Sequence, residues 1–284
     1  MQTPPMPHAM PELPEVETVM RGLAPVWEGQ RFTRVVAHRP DLRRPLPEAL
    51  GQRLTGATVI RLGRRAKYGL VETDRGDTLV IHLGMSGRMR VDPDGIGKHD
   101  HVVFETGNGR VVAFNDARRF GSLDLVPTSE AVVHPLLAGI GPEPLGPDYG
   151  PPLLKRIFAD RLAPAKAILL DQRLIAGLGN IYVCEALFRA GIHPETPGGQ
   201  VTTAQLKRLT PAIPAVLEEA IAAGGSTLRD HAAPDGTLGY FQKEFAVYGR
   251  EGEACQACAT PVERIVQSGR SSFFCRRCQP QHGR

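Results

Sequence analysis

The chain has 284 residues, 42% hydrophobic and 23% charged, with a formal net charge of +4. This length suits one large core or two modest ones, and the composition excludes disordered and collagen-like chains. No apolar run reaches the roughly 18 residues of a membrane span, and the mild positive charge permits a polyanionic partner.

Residues 1–9 have neither the basic start nor the apolar stretch of a secretory signal. Behind them stands Met10-Pro-Glu-Leu-Pro-Glu-Val-Glu-Thr18. From Leu13 the pattern predicts an amphipathic helix. Pro14 fits its first position, Glu15 and Glu17 suit the positive end of the dipole, and Val16, Val19, Met20 and Leu23 form an apolar face. Pro25 is expected to stop it. A surface helix would account for Glu15 and Glu17 but not for the Met-Pro-Glu entry.

Short strands are predicted at 32–37, 58–62, 68–73, 78–83, 101–105, 111–114 and 122–125, with turns such as Asp74-Arg-Gly and Gly107-Asn-Gly. That spacing suggests an antiparallel sandwich. Residues 127–152, rich in proline and glycine, read as a linker or hinge. Helical segments follow at 153–160, 166–170, 180–190 and 203–223, then a glycine-punctuated loop at 225–241.

Four of the 5 cysteines close the chain as Cys255-x2-Cys258 and Cys275-x2-Cys278, the spacing of a zinc ribbon. The fifth, Cys184, fits a buried helical position. Between the cysteine pairs a hairpin presents Arg270 at its tip, either as a solvated turn residue or as a cation that the metal holds in a defined place. Gly177 and Gly179 supply tight turning before Asn180, read as a helix cap beside a phosphate-sized anion site, though buried helix pairs are often joined through glycine.

In the first half, Arg61, Arg64, Arg65 and Lys67 form a basic run, a solvated face or the setting of a catalytic amine. His99 and His101 alternate near a strand edge without a third metal ligand, so phosphate contact or plain surface outranks metal. Asn115-Asp-Ala-Arg-Arg-Phe120 sets Arg118 and Arg119 beside an aromatic ring, a combination fit to prop open a duplex. Met85 is a second apolar wedge or a core methionine.

Together, Pro11-Glu-Leu-Pro-Glu-Val-Glu-Thr18, Arg64-Arg-Ala-Lys-Tyr68, His82-Leu-Gly-Met-Ser-Gly87, Lys98-His-Asp-His101, Asp116-x-Arg-Arg-Phe-Gly121, Gly177-Leu-Gly-Asn-Ile-Tyr182 and the four-cysteine ribbon resemble the formamidopyrimidine-DNA glycosylase family, from Pro11 to about Gln279. The resemblance implies an α+β multidomain chain. An antiparallel β-sandwich with flanking helices occupies 10–135, a linker 136–152, a helix-two-turns-helix domain 153–252 and a zinc-ribbon hairpin 253–284. DNA would lie in the cleft between them.

The resemblance further implies base-excision repair of oxidised purines, with one structural zinc on Cys255, Cys258, Cys275 and Cys278. The damaged double-stranded DNA would be bound by a cytoplasmic, nucleoid-associated monomer without membrane contact. Carried over position by position, Pro11 is the nucleophile, Glu12 a proton donor, and Glu15 positions the sugar. Lys67 and Arg270 are the proton donors for β- and δ-elimination. His99, Arg118, Arg161 and Asn180 grip phosphates, and Met85, Arg118 and Phe120 fill the gap left by the everted nucleotide. The stretch from Thr227 to Asp230 matches the loop over the flipped base.

A secondary amine at Pro11 requires that Met10 be the true start, with residues 1–9 an extension absent from the mature enzyme. Two other functions share parts of this pattern: an endonuclease VIII-type glycosylase for oxidised pyrimidines, and a non-catalytic zinc-ribbon DNA-binding protein. A proline-dependent tautomerase leaves the ribbon and the basic loops without purpose.

Overall fold

A computed structural model describes residues 10–226 and 244–281. The stretch from Thr227 to Asp230 and residues 1–9 lie outside the described residues. The described residues form two compact units, one of residues 10–138 with 223–226 and one of residues 139–222 with 244–281.

The first unit is the sandwich. Helix α1 (Leu13–Trp27) precedes β1 (Phe32–Ala37), the short α2 (Leu50–Leu54), β2 (Val59–Arg65), β3 (Tyr68–Thr73), β4 (Asp77–His82), β5 (Arg88–Val91), β6 (Asp100–Thr106), β7 (Val111–Asn115) and β8 (Ser122–Pro127). The sheets run β1-β6-β7-β5 and β2-β3-β4-β8, and every pairing is antiparallel. Between them Trp27, Phe32 and Phe104 pack ring on ring at 5.1–5.6 Å within one buried apolar cluster. Helix α1 rests on β3 at Gly69, where an added Cβ would lie 2.4 Å from the Met20 sulfur.

Three local readings need correction. Helix α1 runs past Pro25 to Trp27, because a proline in the last turn forfeits one bond while Val26 and Trp27 gain burial. Strand β5 was not anticipated, since four residues with two arginines carry too short an alternation, and the five-residue α2 was missed for the same shortness.

The second unit holds α3 (Pro151–Phe158), α4 (Ala165–Leu170), α5 (Asn180–Ala190), α6 (Thr203–Ala222) and the hairpin β9 (Glu263–Gln267) and β10 (Arg270–Phe274). Helix α6 carries Pro211 and Pro214 in its interior. Pro214 has no N–H for the carbonyl of Thr210, and the Tyr149 hydroxyl donates to that carbonyl at 2.8 Å instead. The proline-rich stretch before α3 is thus packed coil, also tied by the Gly141 N–H to the Gln172 carbonyl at 2.8 Å. No described helix is long and apolar enough to cross a membrane.

Candidate active site and nucleic-acid contacts

Pro11 is buried immediately before α1. Glu12 caps the helix and Glu15 reaches back, its Oε2 accepting the Glu12 N–H at 3.0 Å. The other oxygen of Glu15 accepts the N–H and the hydroxyl of Ser226 at 2.9 and 2.8 Å. Both carboxylates are buried, at 2% and 5% exposure, so this is not an ordinary surface helix. Two buried acids thus stand beside one proline at the positive end of a helix.

Lys67 is also buried, in the turn between β2 and β3, where Ala66 adopts a φ of 51°. Sequence reasoning missed the part played by Arg64. It ion-pairs with Glu17 of α1 at 3.0 Å and donates to the Ala66 carbonyl at 2.9 Å, fastening the Lys67 turn to the helix that Pro11 precedes. His82 was missed as well. Burial and the nearby charge of Lys67 push its imidazole down to about 4, so it is neutral at cellular pH, with Nδ1 accepting the Gly84 N–H at 3.2 Å.

The wedge candidates sit on two loops of the same unit. Met85, in the β4–β5 turn, is partly buried and stands outside the core cluster. In the β7–β8 loop the exposed Arg118 guanidinium lies 4.9 Å from the centre of the Phe120 ring, itself 40% exposed. Between them Arg119 occupies the left-handed region at φ 58°, a strained conformation of the kind that collects at functional loops. His99 is partly exposed, whereas His101 is buried and its Nε2 bonds the Asp116 carbonyl at 2.7 Å. That bond commits His101 elsewhere, so the two imidazoles do not form a metal pair.

In the second unit the four cysteine sulfurs lie within 4.8 Å of one another, with Cys258–Cys275 at 3.4 Å and Cys255–Cys278 at 3.9 Å. A tetrahedral zinc with bonds of about 2.3 Å spaces its sulfurs about 3.8 Å apart, so the donor set fits a structural Zn2+. Among the described residues this is the one cluster that could hold a metal. The hairpin turn has Ser268 and Gly269 at φ 48° and 75°, the two positive values of a type I′ turn. It exposes Arg270, which forms no ion pair among the described residues, while Arg264 and Arg276 are matched by Glu251 and Glu263.

Asn180 is the first residue of α5 rather than its cap, which is Gly179. Its Nδ2 donates to the Ser271 carbonyl at 2.9 Å, and the buried Lys166 ammonium reaches the same carbonyl at 2.8 Å and the Ser272 hydroxyl at 2.6 Å. Asn180 is therefore tied to the residue next to Arg270, a contact that no sequence pattern announces. Arg161 is exposed in the α3–α4 connection.

Residues 10–123 match the formamidopyrimidine-DNA glycosylase N-terminal domain, 140–232 its H2TH domain, and 252–281 a zinc finger found in FPG and IleRS. The chain belongs to the formamidopyrimidine-DNA glycosylase family. It is 64% identical over 270 residues to the Novosphingobium aromaticivorans formamidopyrimidine-DNA glycosylase, across 95% of this chain and 100% of that protein. The MutM (FPG) protein of Thermus thermophilus superposes with a TM-score of 0.86 at 42% identity, covering 96% of this chain and 100% of that one. A MutM in complex with carbocyclic 8-oxo-G containing DNA superposes at 0.86 with 36% identity, covering 95% and 100%. The sandwich, helices and ribbon are this family's architecture, and the four cysteines are its zinc ligands.

Proposed function

We propose that this chain is a base-excision repair glycosylase and AP lyase that removes oxidised purines from double-stranded DNA. The observation that carries the reading is the pair of buried acids, Glu12 directly after Pro11 and Glu15 accepting the Glu12 N–H. With Met10 removed, Pro11 bears a secondary amine whose ordinary pKa near 8 leaves a neutral fraction at cellular pH. Its lone pair attacks C1′, the bond from C1′ to the damaged base breaks, and the base leaves with a proton supplied through Glu12. The amine then loses its N–H proton and its lone pair opens the C1′–O4′ bond, with O4′ taking up a proton, and the iminium so formed acidifies C2′–H. Loss of that proton expels the 3′ phosphate, and a second elimination expels the 5′ phosphate.

Lys67 and Arg270 serve these eliminations as proton donors, and Glu15 steadies the sugar. His99, Arg118, Arg161 and Asn180 bind backbone phosphates. Met85, Arg118 and Phe120 occupy the space of the everted nucleotide, whose extrusion costs a few kcal/mol. The working form is a monomer of the cytoplasm, associated with the nucleoid, with residues 1–9 absent.

Borohydride trapping on an 8-oxoguanine duplex tests the reading. Chains beginning at Pro11 form a covalent adduct that maps to its nitrogen, while chains that keep residues 1–9 form none, because their proline nitrogen is an amide. An adduct on another residue, or none from either chain, refutes it. Faster turnover on thymine glycol than on 8-oxoguanine would favour the endonuclease VIII-type reading.

A further inference from the structure

The motif Asp116-Ala-Arg-Arg-Phe-Gly121 contains an acid that none of these roles uses. Asp116 is fully buried. Its Oδ1 accepts the Ser86 hydroxyl at 2.5 Å and the Arg118 N–H at 3.3 Å, and its Oδ2 accepts the Gly121 N–H at 2.8 Å. The Asp116 N–H donates to the His99 carbonyl at 3.0 Å, and its own carbonyl takes His101. Ser86 closes the ring, its hydroxyl oxygen accepting the Arg118 N–H at 3.2 Å. One residue thus joins the loop of Met85, the loop of Arg118 and Phe120, and the backbone of His99.

Packing locks the same junction. A Cβ on Gly84, whose φ is +65°, would lie 2.3 Å from the Phe120 carbonyl carbon, and one on Gly87 would lie 2.2 Å from the Leu83 carbonyl oxygen. Glycine at 84 lets the two loops meet this closely, and glycine at 87 lets the Met85 turn close on its own backbone. The three groups aimed at the Asp116 carboxylate are all donors. A carboxylate offers acceptors alone, whereas an amide would turn an NH2 against one of them.

We propose that Asp116 and Ser86 are positioning residues for base eversion, holding Met85, Arg118 and Phe120 as one rigid wedge registered against His99. The proposal rests on the wedge role given to those three side chains above and deepens it. A plug that enters a base stack must arrive ordered, since loops moving independently would lose their freedom at the moment of insertion.

The test compares wild type with S86A and D116N in single-turnover assays on an 8-oxoguanine·cytosine duplex and on a preformed abasic site. Zinc content and melting temperature report the fold. S86A severs the two loops without removing a wedge side chain. It is expected to slow excision roughly tenfold or more, equivalent to about 1.4 kcal/mol, while lyase action on the abasic site stays within about twofold. The fluorescence rise of 2-aminopurine next to the lesion, which reports eversion, slows by the same factor. D116N, which can still accept from Gly121, falls between S86A and wild type. Unchanged excision and fluorescence rates in S86A, or excision and lyase falling together, overturn the proposal. A wild type that excises nothing defeats the glycosylase reading itself.

Discussion

Arg118 and Arg270 are both displayed on turns, and opposite means hold them there. The Arg118 loop hangs from a sandwich with a broad apolar interior, so one buried carboxylate and its serine partner complete its position. The Arg270 hairpin belongs to a ribbon whose buried apolar side chains include little beyond Val262, Phe273 and Phe274. A segment that small cannot order itself by burial, so four thiolates on zinc and polar ties from Lys166 and Asn180 replace the missing core. The difference is one of apolar area: with enough of it, polar groups fine-tune position, and without it they and a metal must create the position.

Removing zinc should separate the two arginines most sharply. Chelation, or Cys275→Ser, is expected to abolish binding and cleavage of damaged DNA while the sandwich keeps its own melting transition, as read by calorimetry. Loss of the sandwich transition as well would show that the units do not fold independently. Lys166→Met comes next. It deletes the ammonium bonds to Ser271 and Ser272 at nearly constant volume, and should cost the C-terminal unit about 2 kcal/mol. Gels should show ends from β-elimination accumulating over those from β,δ-elimination, because Arg270 loses its register.

The pH dependence tests the sandwich side. His82 is held near 4 in the folded chain against 6.5 when unfolded, so the unfolded chain binds the extra proton first. Stability is therefore full above pH 6.5 and falls as the pH drops toward 4, by no more than about 3 kcal/mol. His82→Gln should flatten that part of the melting-temperature profile and leave it unchanged above pH 7. Smallest is Tyr149→Phe, which strips the partner from the Thr210 carbonyl and should cost about 1 kcal/mol, measurable by urea unfolding with an unchanged slope.

The zinc site could be read before folding because metal ligation is bound to residue type: four cysteines in two spaced pairs announce it. What sequence reading misjudged was local geometry decided by distant partners. Asn180 looks like a cap, yet Gly179 takes that place and the Asn180 side chain turns to Ser271, 91 residues away. His99 and His101 look equivalent, yet a carbonyl of the β7–β8 loop claims one of them.

Period and spacing alone determined seven of the eight strands of the sandwich, the helical second half and the ribbon, since alternation, apolar faces and cysteine pairs are properties of neighbouring residues. Tertiary structure alone decided that Glu15 would bridge Glu12 and Ser226, and that Arg64 would fasten the Lys67 turn. It also gathered two loops and a histidine strand onto Asp116. Buried polar groups must find donors or acceptors wherever the folded chain brings them, and no local pattern records which those will be.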